Sequence, residues 1–260
     1  MRRLESGLEW FKEMKRRGLK PNVVSFNSLI SGLFREGETD KGVAVAREML
    51  DIGCTFSAAT CEILINGLCG EGRALEMCEI LMGFLAEGAV PDGFDCFVLV
   101  ESLCNDGNED RAIKLVDSLW ENGKSVNVVT CSSLMESLRK CGKIDEAIGF
   151  MERVMEKGMV LDRISCNCLF EDLCDSGRAM EANRLRVLWG KKGFDVDGTT
   201  FGILVRGFSR EGRVREGEKV VDEMLDGGFI PNIATYNKLR DGLKRQSNRV
   251  LRSKGVSVQE

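Results

Sequence analysis

The residues of this chain that most invite a chemical reading are its 11 cysteines and its carboxylates, and the sequence contains no histidine. Without histidine no Ser–His or Cys–His nucleophile pair, no His-ligated zinc and no histidine general base can be assembled. The cysteines fall into spaced sets: Cys61, Cys96, Cys131 and Cys166 form one, and Cys69, Cys104 and Cys174 another. Members of the two sets on one helix are eight residues apart. That is roughly 12 Å at about 1.5 Å per residue, too far for one zinc ion with sulfur ligands at about 2.3 Å. No CxxC occurs, so the sets read as small buried hydrophobes, and the odd count favours reduced thiols. Glu101, Glu136 and Glu171 form a third spaced set. On stacked helices such residues sit about 8–10 Å apart, without partner chemistry. They read as an acidic column that repels anions or holds basic groups, not as an acid/base pair. No phosphate loop of the G-x-x-x-x-G-K-[ST] form is present, and no catalytic residue, metal site or cofactor is expected.

The spacing itself is the stronger signal. Gly18, Gly53, Gly88, Gly123, Gly158, Gly193 and Gly228 follow one another at 35 residues, as do Gly37, Gly72, Gly107, Gly142, Gly177 and Gly212. Leu29, Leu64, Leu99, Leu134, Leu169, Leu204 and Leu239 keep the same step, and Pro21, Pro91 and Pro231 share one register. Four series in phase establish an internal repeat.

Counted from Val23, the third residue of each repeat is Ser25, Thr60, Asp95, Thr130, Ser165, Thr200 or Thr235, types that cap helix N-termini. Phe26, Leu29, Ile30 and Leu33 then make one helical stripe, which Gly37 ends in the left-handed conformation. A second amphipathic segment, about 39–51, is closed by Gly53 in the same way. The unit is helix–turn–helix. One such pair cannot bury both stripes, so the expected fold is all-α, a right-handed α-solenoid superhelix of stacked repeats. Six complete repeats are read at 23–57, 58–92, 93–127, 128–162, 163–197 and 198–232. Residues 1–22 fit the second helix of a truncated repeat, 233–245 the first helix of a seventh, and 246–260 a polar tail. No apolar run approaches the roughly 18 residues of a membrane span. With 37 basic and 41 acidic residues, the net charge of −4 gives no broad basic field.

The stretches VVSFNSLISGLFREGETDKG at 23–42 and IATYNKLRDGLKR at 233–245 resemble the pentatricopeptide repeat (PPR) family, in its P-class form of uniform 35-residue units. The 34-residue tetratricopeptide repeat, with its W-x₂-L-G-x₂-Y signature, does not fit. The resemblance implies single-stranded RNA binding at one base per repeat, read by the fifth and last residues with the second residue sandwiching the base. The implied reading pairs are Asn27 with Ser57, Glu62 with Asp92, Phe97 with Asn127, Ser132 with Asp162, Asn167 with Asp197 and Gly202 with Asn232, and Asn237 begins a seventh. By the family code, Asn167/Asp197 prefers uracil, Asn27/Ser57 cytosine and Ser132/Asp162 guanine. The remaining three pairs depart from the pattern. The sandwiching residues would be Val24, Ala59, Phe94, Val129, Ile164, Thr199 and Ala234. At the thirteenth position Arg35, Lys140, Arg210 and Arg245 are candidate phosphate contacts, or cations placed against helix C-termini.

The resulting expectation is a non-enzymatic RNA-binding adaptor in organellar RNA processing, stability or translation. Single-stranded RNA is the main partner and protein partners are allowed; no membrane or small-molecule substrate is expected. The alternatives are a protein–protein interaction solenoid or a truncated gene product with weak RNA affinity. The lack of histidine also excludes the zinc deaminase that some family members carry. The family implies a mitochondrial location, with chloroplast second. No transit peptide is visible, since Glu5, Glu9 and Glu13 make the N-terminal segment a structural helix.

Overall fold

The computed structural model describes residues 2–193 and 196–230. Among the described residues the chain forms thirteen α-helices and no strand. In chain order these are α1 (Arg2–Arg16), α2 (Val23–Arg35), α3 (Thr39–Asp51), α4 (Ala58–Gly70), α5 (Ala74–Ala86), α6 (Phe97–Asn105), α7 (Glu109–Glu121), α8 (Val128–Lys140), α9 (Ile144–Glu156), α10 (Arg163–Asp175), α11 (Ala179–Lys191), α12 (Gly198–Glu211) and α13 (Val214–Asp226). The expected helix at 233–245, the tail at 246–260, and Asn232, Ala234, Asn237 and Arg245 lie outside the described residues.

Glycine sets the joints. All thirteen glycines of the two periodic series have positive φ, between 69° and 87°. At Gly37 the amide donates to Phe34 O at 3.1 Å, and that of Glu38 to Leu33 O at 2.9 Å, so the last carbonyls of α2 find partners within the turn. Other glycines make room instead. A β-carbon at Gly42 or Gly67 would run into the Phe34 ring, which lets α2, α3 and α4 meet closely.

The described helices divide into two compact parts, with the boundary between residues 137 and 138. In the first, α2 packs on α1, α3 and α4, α4 on α5 and α6, and α7 on α5 and α6. In the second, α10 packs on α9, α11 and α12, and α12 on α11 and α13. Each part is a stack of helical hairpins, all-α and solenoid in architecture.

The buried positions explain the spaced residues. Leu29, Leu64, Leu99, Leu134, Leu169 and Leu204 are all buried. Cys61, Cys96, Cys131 and Cys166 fill the register that Phe26 and Phe201 fill in other repeats, and all six are buried. Burial pushes the thiols of Cys61, Cys96 and Cys131 up to about 12, which keeps them uncharged at neutral pH. In the second set Cys174 is buried, while Cys69 and Cys104 are half-buried.

Candidate nucleic-acid interface

The first helices of the repeats begin differently from the sequence expectation. The capping residue is not Ser25, Thr60, Thr130, Ser165 or Thr200 but the residue three before it. Asn22, Ser57, Asp162 and Asp197 are the N-caps of α2, α4, α10 and α12. Their side chains accept from the backbone N–H of Ser25 at 2.9 Å, Thr60 at 3.2 Å, Ser165 at 2.9 Å and Thr200 at 3.0 Å. Asn127 Oδ1 likewise accepts from Thr130 N–H at 2.7 Å. The hydroxyls at the third position answer the cap, and Ser57 with Thr60 forms a reciprocal capping box. Ser57, Asn127, Asp162 and Asp197 are also the last residues of their repeats. The position assigned to base reading therefore also starts the next helix.

Two of the expected reading pairs come together. Asn27 Nδ2 donates to Ser57 Oγ at 3.3 Å, and Thr60 Oγ1 donates to Asn27 Oδ1 at 2.8 Å. Asn167 and Asp197 share Thr200, whose Oγ1 lies 2.8 Å from Asn167 Oδ1 and 3.1 Å from Asp197 Oδ1. Partial burial raises the Asp197 pKa, but the Thr200 N–H, its hydroxyl and Arg163 outweigh this and hold the carboxyl below its ordinary value. Arg163 Nη1 is 3.2 Å from Asp197 Oδ2.

Other pairs are built differently. Asp92 is exposed and pairs with Lys124 at 2.9 Å, while Glu62 is half-buried on α4. Asn127 Nδ2 donates to Asp95 Oδ1 at 3.1 Å, and Phe97 is half-buried at the start of α6. Ser132 is half-buried on α8. Gly202 is half-buried on α12, and its partner Asn232 lies outside the described residues.

The sandwiching positions split. Val24, Val129 and Ile164 are 70%, 65% and 77% exposed, and Ala59 and Thr199 are exposed as well. Phe94 is not available to a base: it is buried at 5% exposure. The cause is local. Gly93 adopts φ 75°, Asp95 Oδ1 accepts from Phe97 N–H at 2.9 Å, and α6 starts only at Phe97. The Asp92–Gly93 dipeptide was the available signal of this turn.

Charges correct the sequence reading further. Arg210 is ion-paired with Asp175, the equivalent residue one repeat earlier. Arg206 Nη2 is 2.9 Å from Glu171 Oε1, so the last member of the expected acidic column is neutralised. Glu101 and Glu136 are exposed on α6 and α8. Arg35 is exposed in the last turn of α2, donating to Ser31 O at 3.4 Å, and Lys140 is exposed at the end of α8. The sequence reading missed the roles of Thr60, Thr200, Asp175 and Arg206. Alignment of the ninth and thirteenth positions puts Glu171 beside Arg206 and Asp175 beside Arg210.

A family model described as the PPR repeat family matches residues 1–33, 21–70 and 196–245, and one described as the PPR repeat matches 129–159. No curated protein matches the chain. Among solved structures, the pentatricopeptide repeat protein PPR10 from maize is 21% identical over 97% of this chain and 42% of its own, with a TM-score of 0.42. PPR10 in complex with an 18-nt psaJ RNA element is 22% identical over 99% and 48%, with a TM-score of 0.40. The PPR domain of Arabidopsis thaliana protein-only RNase P 1, in complex with tRNA, is 13% identical over 65% and 89%, with a TM-score of 0.47. The chain spans less than half the length of the PPR10 structures. With repeat models matched over more than half of its residues, the chain belongs to the pentatricopeptide repeat family.

Proposed function

We propose that the chain is a non-catalytic, single-stranded RNA-binding adaptor that reads about one base per repeat. The observation that carries this reading is the pairing, on α2 and α10, of an exposed aliphatic side chain with a half-buried amide. Val24 lies three residues before Asn27 and Ile164 three before Asn167, a spacing that puts each pair on one helix face. An exposed aliphatic surface offers a base a flat contact, and the adjacent amide offers its edge a hydrogen-bond partner. Six repeats limit the footprint to about six nucleotides. Only some pairs carry readable groups, so binding is weak with a modest salt slope. By family, the RNA is an organellar transcript whose processing, stability or translation the protein supports, in the mitochondrion first and the chloroplast second.

Selection from a randomised RNA pool tests this reading. Enriched sequences should lose their advantage with Asn27→Ala and Asn167→Ala, which leave the helix caps in place. Equal affinity for all sequences, unmoved by both changes, refutes coded reading. The pairing of Arg206 with Glu171 and of Arg210 with Asp175 favours a second reading, a protein-interaction surface, because it removes free positive charge. That reading predicts a protein complex that survives nuclease and does not compete with RNA.

A further inference from the structure

The outer face of α11 differs from the same face of the second helices in the other complete repeats. Met180, Arg184, Val187, Leu188 and Lys191 are exposed and follow one another at i, i+4, i+7, i+8 and i+11, one face of a helix. At about 1.5 Å per residue this stripe is roughly 17 Å long. The positions of Val187 and Leu188 hold Arg47 and Glu48 in α3, Asp117 and Ser118 in α7, Glu152 and Arg153 in α9, and Asp222 and Glu223 in α13. Lys191 stands where those four helices end on Asp51, Glu121, Glu156 and Asp226. In α5 the same face is apolar too, with Leu75, Met82 and Gly83, but it carries Glu79 at the position of Arg184. Among these helices α11 combines an apolar outer stripe with positive charge.

The charge is local, in a chain whose net charge is −4. Between Glu181 and Asp195 there is no acid, and there are Arg184, Arg186, Lys191 and Lys192. Arg186 is committed within the fold, paired with Glu223 and lying 4.9 Å from the Phe201 ring centre. The other three face outward. Arg184 Nη2 is 3.9 Å from Glu152 Oε1, the outer limit of an ion pair, and its side chain stays 71% exposed. Glu181 is held by Arg178 at 2.7 Å. Lys191 and Lys192 are exposed. The dipole of a helix C-terminus accounts for cations there. It does not account for exposed Val187 and Leu188 where the other helices carry charge.

The stripe leads to a pocket. Met155, Gly158, Met159 and Val160, at the end of α9 and in the turn after it, meet Trp189 and Lys192 around a cavity of about 250 Å³. Lys192 is one helical turn beyond Leu188. Small-molecule sites usually hold about 300–1,000 Å³, so this smaller one suits a single apolar side chain. Met155, Met159 and Met180 are flexible enough to mould themselves to it.

We propose that the outer face of α11 and this pocket dock a short amphipathic helix of a partner protein, with acidic residues beside its apolar stripe. One apolar anchor of that helix enters the pocket, and others at three- and four-residue spacing cover Val187, Leu188 and Met180. Its carboxylates meet Arg184, Lys191 and Lys192. A nucleic acid fits this face less well. The aromatic ring here, Trp189, is wholly buried and has no free face for a base to stack on. No residue assigned to base reading takes part, so the proposal stands or falls apart from the RNA reading.

The probe is a library of random 16-residue peptides displayed on phage and selected against the full chain. Enriched peptides should carry Asp or Glu flanking apolar residues at three- and four-residue spacing. Fluorescence anisotropy with an enriched peptide should then show affinity reduced about tenfold or more by Leu188→Asp, and again by Lys191→Glu with Lys192→Glu. Circular dichroism and urea denaturation should be unchanged in both, since all three side chains are exposed. No enrichment, enrichment of acid-poor peptides, or binding that neither variant moves overturns the proposal. Two further titrations use a single-stranded RNA oligonucleotide and vesicles of phosphatidylserine with phosphatidylcholine. Binding of either that Leu188→Asp abolishes gives this face to nucleic acid or lipid and also overturns it. RNA binding that both variants leave intact supports separate faces, and absence of RNA binding refutes the RNA reading while the peptide titrations still decide this one.

Discussion

The ion pairs along α10 and α12 make a quantitative prediction. Arg206 and Arg210 face Glu171 and Asp175, and these four side chains are 39 to 65% exposed. Pairs this open to water are worth about 0.2–1 kcal/mol each. An RNA phosphate must displace the carboxylate before it gains the arginine, so the pair energy is subtracted from binding. Replacing both acids with isosteric amides, Glu171→Gln with Asp175→Asn, should return about 0.4–2 kcal/mol, a gain of about 2- to 30-fold in affinity. Each arginine newly free to neutralise a phosphate should also steepen the logarithmic salt dependence by about 0.7, or about 1.4 for two. Fluorescence anisotropy with a short labelled RNA at four or five salt concentrations reads both quantities. Unchanged affinity and slope would show that neither arginine meets the RNA backbone. Tighter binding with an unchanged slope would show that the gain comes from elsewhere.

Three further outcomes follow from the same geometry. Gly142→Ala should lower stability by about 1 kcal/mol, because φ is +74° there, whereas Gly83→Ala, inside α5 with open space around it, should raise it by about 0.5–1 kcal/mol; urea denaturation of both variants checks the opposite signs. Phe94→Ala should cost about 3–5 kcal/mol of stability as a buried ring is lost; a well-folded variant that has lost only RNA binding would restore Phe94 as a base contact. Asp197→Ala should cost about 1 kcal/mol at pH 7 through the lost cap. Because the folded pKa of Asp197 is depressed, its stabilisation is present above the unfolded aspartate pKa of about 3.9 and is lost as pH falls through the lower folded value. The gap between wild type and variant in denaturation series should therefore persist to about pH 4 and close only at more acidic pH.

The fold was legible where one residue type does one job in every repeat. Gly37 and Gly53, with their equivalents, terminate helices wherever they recur, and the leucine column at Leu64 and Leu99 is buried at each of its described members. The start of each first helix was not legible in the same way. Serine and threonine serve both as N-cap and as the third helical residue that answers a cap, and the types at Ser57 and Thr60 cannot separate the two roles. The third complete repeat was misread because the period is so regular that Phe94 was carried into the sandwiching register, while Asp92–Gly93 signals a turn that delays α6 to Phe97. The charges were misread for a spatial reason. Arg210 and Asp175 occupy one register, and only stacking of α12 on α10 turns the shared register into an ion pair.

The double duty of the last residue limits how such a protein can change. At Ser57, Asn127, Asp162 and Asp197, a substitution aimed at a new ligand must still begin a helix, which restricts the usable alphabet to serine, threonine, asparagine, aspartate and, with some loss, glycine. Recoding within that set is nearly free of folding cost, and stepping outside it weakens the neighbouring repeat before any new partner is gained. Asp92 stands apart, because it caps no helix and pairs with Lys124 instead. An engineer or a lineage seeking a side chain beyond that small alphabet would find it tolerated first at position 92.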